Sequence, residues 1–313
     1  MADARDTGKT GDTRDTRDAT ATTAGTRPGG GAPEAAPGRA PAPAVTAGTG
    51  FARSLVADST YGPLHGLLLI LSVVTGIVDA ISILALGRVF VANMTGNVAF
   101  AAFALVGAPG FSLSASLFAL AGFLIGAYVG GTLISRAGTD RATLLRAGAV
   151  AELVLAAVCL VIAALSGDPG TSHGTLGLGE VIFGPAVTDI VAALLAVTLG
   201  IQSAVARKLA VPDLTTTVLT MTLTGLGAEI RAVIRSIEAP GPAHRTARAA
   251  LGRRLMAVAT IAAGAAVGAA LVLHVSPLSG LCLVTALLTV VAAGTVLAAR
   301  HPAPWRAFPA KKG

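Results

Sequence analysis

One acid, Asp79, stands about two-thirds along an otherwise apolar stretch, residues 64–86. A charged side chain at the centre of a membrane helix costs about 2.5–3.5 kcal/mol on insertion scales, so it faces a bundle interior or a water-filled cavity. A carboxyl in that setting can take up and release a proton, which makes Asp79 a candidate coupling group. The competing role is a protonated or hydrogen-bonded Asp that ties its helix to a neighbour. Downstream, Asn93, Thr95 and Asn97 surround Gly96. Carboxamides donate and accept where backbone is exposed, and glycine permits a turn.

Gln202 and Ser203 sit in a second apolar stretch, and Thr217, Thr220 and Thr224 belong to the Thr-rich segment 215–224. Such hydroxyls can line a polar path. In membrane helices they also bond back to the i−4 carbonyl and do nothing further. Asp79, Asn93, Thr95, Gly96 and Asn97, with Gln202, Ser203, Thr217, Thr220 and Thr224, are therefore the expected substrate-path or coupling residues. Glu152 is expected to snorkel or to pair with Arg146, and Asp189 to lie at the interface.

Other chemistries find no support. Cys159 and Cys282 are isolated, five His are scattered, and no CxxC or Cys/His ligand spacing occurs. No metal site, cofactor or disulfide is expected. Phosphate-loop, nucleophile-elbow and zinc-protease motifs are missing, so the chain does not read as an enzyme. An isoelectric point near 10.2 invites a nucleic-acid reading. The Arg residues, however, lie at the ends of apolar runs, where membrane topology uses them.

The elements that must position these residues are membrane helices. Of 313 residues 53% are hydrophobic and 12% charged, with a mean hydropathy of +0.75. Soluble domains carry about 25% charged residues. Residues 1–50 hold six Lys/Arg and six Asp/Glu but no Phe, Tyr, Trp, Ile or Leu. A tail over 1–60 is thus expected to be disordered, and with no apolar core before residue 64 it does not read as a signal peptide. A membrane domain over 61–300 and a short basic tail over 301–313 follow.

Crossing the hydrocarbon takes roughly 20 apolar residues. Six segments qualify: 64–86, 113–134, 147–165, 186–206, 255–273 and 278–299. Two are polar and ambiguous, 88–107 and 211–230. The fold class is therefore an all-α integral membrane bundle of six to eight membrane segments in two repeated halves, about 64–165 and 186–299. Basic residues cluster at 136–146, 207–208, 231–254 and the C-terminus. If the ambiguous segments are re-entrant, every cluster falls on the cytoplasmic side with both termini, and Arg88 alone lies outside. Eight full crossings split the clusters between faces. Residues 225–238 form an expected amphipathic cytoplasmic helix attracted to anionic headgroups through Arg231 and Arg235.

The repeat shows in three ordered landmarks. Gly76-Ile77-Val78-Asp79-Ala80 is echoed 124 residues later by Gly200-Ile201-Gln202-Ser203-Ala204. Each is followed by a polar Thr-bearing segment, then by a helix with a smooth stripe: Gly122, Gly126 and Gly130 in one, Gly264 and Gly268 in the other. The stripes are expected to pack helices closely. Re-entrant segments make the halves inverted, a recurring transporter architecture, and eight crossings make them parallel. An unwound entry over 88–97 and a half-helix over 98–107 would aim a positive helix end at the midplane.

"GIVDAISILALGRVFVANMTGN" and "GIQSAVARKLAVPDLTTTVLTMTLTGL" resemble the YoaK-type family of bacterial membrane proteins, a domain of unknown function, over residues 64–299. The resemblance implies a polytopic protein of the bacterial cytoplasmic membrane and no established substrate. The resulting expectation is a secondary transporter or channel-like permease for a small polar or anionic solute, with proton coupling through Asp79. The alternative is a non-transporting scaffold or regulator. Its partners are the lipid bilayer and that solute; no nucleic acid is expected, and oligomeric state is left open.

Overall fold

The computed structural model describes residues 62–166, 184–209, 219–235, 242–300 and 303–308. The tail read over residues 1–60 and Thr217 lie outside them. Among the described residues the chain forms helices α1 (Leu64–Ala85), α2 (Met94–Leu105), α3 (Leu113–Ala137), α4 (Arg141–Leu165), α5 (Pro185–Leu209), α6 (Leu219–Arg235), α7 (Pro242–His274) and α8 (Pro277–Ala298), then a 3-10 turn over Pro304–Arg306. No strand occurs among them, and the fold is the expected all-helical membrane bundle.

Six of these helices are long and apolar enough to cross a membrane: α1, α3, α4, α5, α7 from Arg248, and α8. Two begin earlier than hydropathy indicated. The α4 helix starts at Arg141 rather than 147 because Asp140 caps it, Oδ1 accepting from the amides of Ala142 (2.8 Å) and Thr143 (3.2 Å). Such a cap satisfies amides that the first turn leaves without partners. The α7 helix starts at Pro242 rather than 255, since its Arg-rich first turns continue into the apolar part without a break. Residues 225–235 are helical as expected, but the helix that holds them, α6, begins earlier, at Leu219.

The α1 and α5 helices form the centre. Of their apolar stretches 72% and 67% are buried, against 22–33% in the other four spans. The α1 helix packs against α7 and α8, and α5 packs against α3 and α4. The short α2 leans on α3 and α6 on α7, while α4 against α8 closes the ring.

In lipid no hydrophobic force draws helices together, so close van der Waals contact must. Glycine provides it at matched places. A Cβ on Gly76 would meet Ile261 O at 2.2 Å, and one on Gly264 would meet Val73 O at 2.2 Å. On the other side a Cβ on Gly200 would meet Phe123 O at 2.3 Å, and one on Gly126 would meet Val197 O at 2.1 Å. Gly122 faces Ala193, Gly130 faces Ala204, and Gly268 faces Ile77 and Ala80. Along each stripe the partners advance together, Gly122, Gly126 and Gly130 meeting Ala193, Val197 and Ala204, and Gly264 and Gly268 meeting Val73 and Ile77, so α3 runs parallel to α5 and α7 parallel to α1. Opposite the α3 stripe, Leu124 and Tyr128 are 71% and 75% exposed, the face left for lipid.

The C-terminal segment staples one end of the bundle. Trp305 covers Gly62 just before α1, and Phe308 lies under both Arg141 and Lys208, each 5.2 Å from its ring centroid. Arg306 forms an ion pair with Asp140 and donates from Nη1 to Ala299 O at 3.3 Å. Partial desolvation alone would push the Asp140 carboxyl up. The Arg306 guanidinium and the amides of Thr143 and Ala142 outweigh it and hold the carboxyl below the ordinary carboxylate range.

Candidate functional site

The site is built from the centre of α1 and the break that follows it. Gly87 (φ +78°) and Arg88 (φ +59°) both take left-handed backbone, turning the chain out of α1 into an extended entry. Arg88 in that region is strained, a feature that marks functional loops more often than ordinary ones. Asn97 then fastens the entry. Its Oδ1 accepts from Phe90 N at 2.9 Å and its Nδ2 donates to Phe90 O, so one carboxamide satisfies both backbone groups of Phe90. Asn97 is fully buried. The helix end falls at Asn93, not at residue 97: the Asn93 side chain accepts from Gly96 N at 3.4 Å and begins α2 there. Gly96 is required because a Cβ would stand 2.5 Å from the Phe90 ring. Thr95 is exposed.

Entry and exit of α2 are held side by side. Phe90 stacks on Phe100 with centroids 5.4 Å apart, and Phe100 lies 4.9 Å from Phe111. The Arg88 guanidinium reaches Gly110, where an added Cβ would lie 2.9 Å from Nη1. Above this entry stands Asp79. Its carboxyl is reached by the backbone amide of Ala92, while Oδ1 is buried without a hydrogen-bond partner.

One turn before Asp79, α1 meets α5. Gln202 Nε2 donates to Thr75 Oγ1 (2.8 Å) and Leu71 O (3.3 Å). Thr75 Oγ1 spends its own hydrogen on Leu71 O (3.0 Å), so it needs a donor, which fixes which end of the Gln202 amide is nitrogen. Ser203, which stands 124 residues after Asp79, bonds back to Leu199 O at 2.6 Å. Gln202 and Ser203 thus reach the centre but have different neighbours from the α2 break. Thr224 is exposed on α6, Thr222 is buried there, and Thr220 lies in α6 with a side chain outside the described residues. The α6 helix does receive one long side chain: the Arg254 guanidinium occupies the space over Gly225. Thr222 and Thr224, on α6, are not brought together with Asn93, Thr95 and Asn97, which belong to the α2 break.

Glu152 departs from its expected pairing. Arg146 is exposed while Glu152 is 1% exposed with Oε2 lacking a partner. Six residues at about 100° each place the two side chains roughly 120° apart around the helix. Asp189 is half-buried near the start of α5. Cys159 and Cys282 are free, and no group of three metal-binding side chains occurs among the described residues.

The chain is similar to the UPF0700 transmembrane protein YoaK of Bacillus subtilis (strain 168), with 34% identity over 165 residues, 52% of this chain. The match spans 66% of that relative's length, just under two thirds. No solved structure matches the chain. Residues 67–294 match the family described as protein of unknown function (DUF1275), and the chain, an integral membrane protein by its six apolar helices and its transmembrane relative, belongs to that family.

Proposed function

We propose that the protein is a secondary permease for a small polar or anionic solute, with Asp79 as its proton-coupling group. The observation that carries this reading is the Asp79 carboxyl. It stands on the most buried helix, one oxygen without a partner, against the amide of Ala92 at a break in the backbone. Non-helical backbone at membrane depth is tolerated only where protein or water lines it, and an intramembrane acid beside such a break suits a transport path. No catalytic pairing or cofactor enters the reading.

Two inverted halves fit the packing. α1 to α4 correspond to α5 to α8, and each contact between helices has its counterpart when the halves are exchanged. Chain parity favours inversion. Asp140, at the start of α4, meets Arg306 just beyond α8, so an even number of crossings separates them. α4, α5, α7 and α8 supply four, which leaves α6 re-entrant or lying in the plane. Gly62 beside Trp305 gives the same result for α2, as does Arg88 beside Gly110. At 12 residues, α2 extends about 18 Å, short of the roughly 30 Å core. With three crossings per half, the Arg-rich ends and both termini lie in the cytoplasm, and the bilayer is the bacterial cytoplasmic membrane.

The test is flux. Purified protein in proteoliposomes is offered small sugars, amino acids and organic anions under an imposed proton gradient. Wild type takes up at least one solute with acidification of the lumen, and Asp79→Asn loses the proton-linked part. Absence of flux in both proteins would end the permease reading.

A scaffold is the second reading. Ser203, Asn93 and Asn97 each satisfy their groups within their own segments, as purely structural polar residues do. It requires Asp79→Asn to lower stability and alter no flux.

A further inference from the structure

We propose that Glu152 and Gln202 form a proton-binding site at the α4–α5 interface, separate from Asp79, in which Glu152 holds a proton that it donates to Gln202 Oε1. Glu152 takes no part in the α2 break.

The placement follows from register. α4 begins at Arg141 and α5 ends near Lys208, and both residues cover Phe308, so the two helices run antiparallel from one end. Gly148 on α4 touches Val205 on α5, where an added Cβ would lie 3.0 Å from Cγ2. Glu152 is four residues further on, about 6 Å, on the same face of α4. Gln202 is three residues from Val205 in the same direction, about 4.5 Å. The two side chains therefore originate at nearly one height, each 1% exposed.

Their hydrogen bonding is incomplete in complementary ways. Gln202 commits Nε2 to Thr75 and Leu71 on α1, and the planar carboxamide turns Oε1 away from that helix. Oε1 is buried without a donor, and so is Glu152 Oε2. Two orphaned acceptors at one depth are an expensive arrangement, and a buried carboxylate without a counter-ion is more so. One hydrogen answers both. A proton taken from the aqueous phase forms an O–H bond on Glu152, cancels the charge and supplies the donor that Gln202 Oε1 lacks.

Among the described residues of the helices packed there, no competing ion lies at that height. The α8 helix carries no Asp, Glu, Lys, Arg or His. On α5 the charged residues are Asp189 near its start and Arg207 and Lys208 at its end. On α3 they reduce to Arg136 in the last turn, with Tyr128 exposed. On α4 itself, Arg141 and Arg146 lie toward its first turns, and Cys159 is two turns beyond. Asp79 stands one turn past Thr75 on α1, so the two acids form stations about 6 Å apart in depth. The inference rests on the permease reading and deepens it by adding a second proton-binding group beside Asp79. Its readout is proton occupancy rather than flux, so the two can fail independently.

The experiment is infrared spectroscopy of the protein in membranes, with isotope-labelled glutamate to separate Glu from Asp carboxyls. A protonated-carboxyl band that moves with the glutamate label is expected at neutral pH, lost entirely in Glu152→Gln and retained in Asp79→Asn. Should Glu152→Gln not fold, Gln202→Leu keeps the carboxyl but removes its acceptor, and the band should move to higher frequency. No glutamate-dependent band, or one indifferent to both substitutions, overturns the proposal. So does a band that disappears when sodium replaces choline, because the ligand is then a metal cation.

Discussion

Arg306 binds Asp140 across 166 residues of sequence and at the same time caps the end of α8 through Ala299 O. One guanidinium thereby joins the first turn of α4 to the last of α8, making the two helices antiparallel and their ends neighbours.

The Asp140 pair predicts an acid-sensitive contribution to stability. A carboxyl held below its ordinary range in the folded protein stabilises fully at neutral pH, and the contribution is lost as pH falls through its folded value. Asp140→Asn, which retains a capping oxygen, should melt below wild type at neutral pH, and the gap should close on acidification. Asp140→Ala should cost about 1 kcal/mol more through the lost cap. Thermal melts in detergent across pH check both, and a gap that widens in acid would refute the assignment.

The glycine interfaces predict equal sensitivity at matched places. Gly126→Ala and Gly264→Ala each drive a methyl to within 2.1–2.2 Å of a carbonyl oxygen, so each should destabilise by about 1–3 kcal/mol. Gly131→Ala, in the same helix as Gly126 with nothing within 4 Å, should be neutral or stabilise by up to about 1 kcal/mol. Melting temperatures of the three variants decide it.

Asn97→Ala should strip Phe90 of both backbone partners, each worth roughly 1–3 kcal/mol when buried. Asn97→Asp, which keeps the acceptor but loses the donor, should fall between. Proteolysis at the α1–α2 connection reports the loosening, and unchanged resistance in Asn97→Ala would show that the clamp is unimportant.

The proposed inverted topology predicts a labelling pattern. In a background lacking Cys159 and Cys282, cysteines at Arg88 and Gly110 should react from one face, and those at Gly138 and Arg248 from the other. Labelling of Arg88→Cys and Gly110→Cys from opposite faces would make α2 a crossing helix and remove the inverted arrangement.

Much of this was readable along the chain. Apolar length and scarcity of charge determined the membrane bundle and its six long helices, because lipid penalises polar groups residue by residue and that penalty needs no partner to be recognised. The small-residue stripes and the fastening polar group near Gly96 were equally visible, since glycine and asparagine are chosen for local reasons. Helix starts were less legible: the Asp140 cap and the Arg-rich turns of α7 extend helices where hydropathy ends. Only tertiary structure paired Arg306 with Asp140, set Gln202 against Thr75, and turned Glu152 inward away from Arg146. Those choices depend on which helix lies alongside which, a matter of packing between residues far apart in the chain, and nothing in the local pattern encodes it.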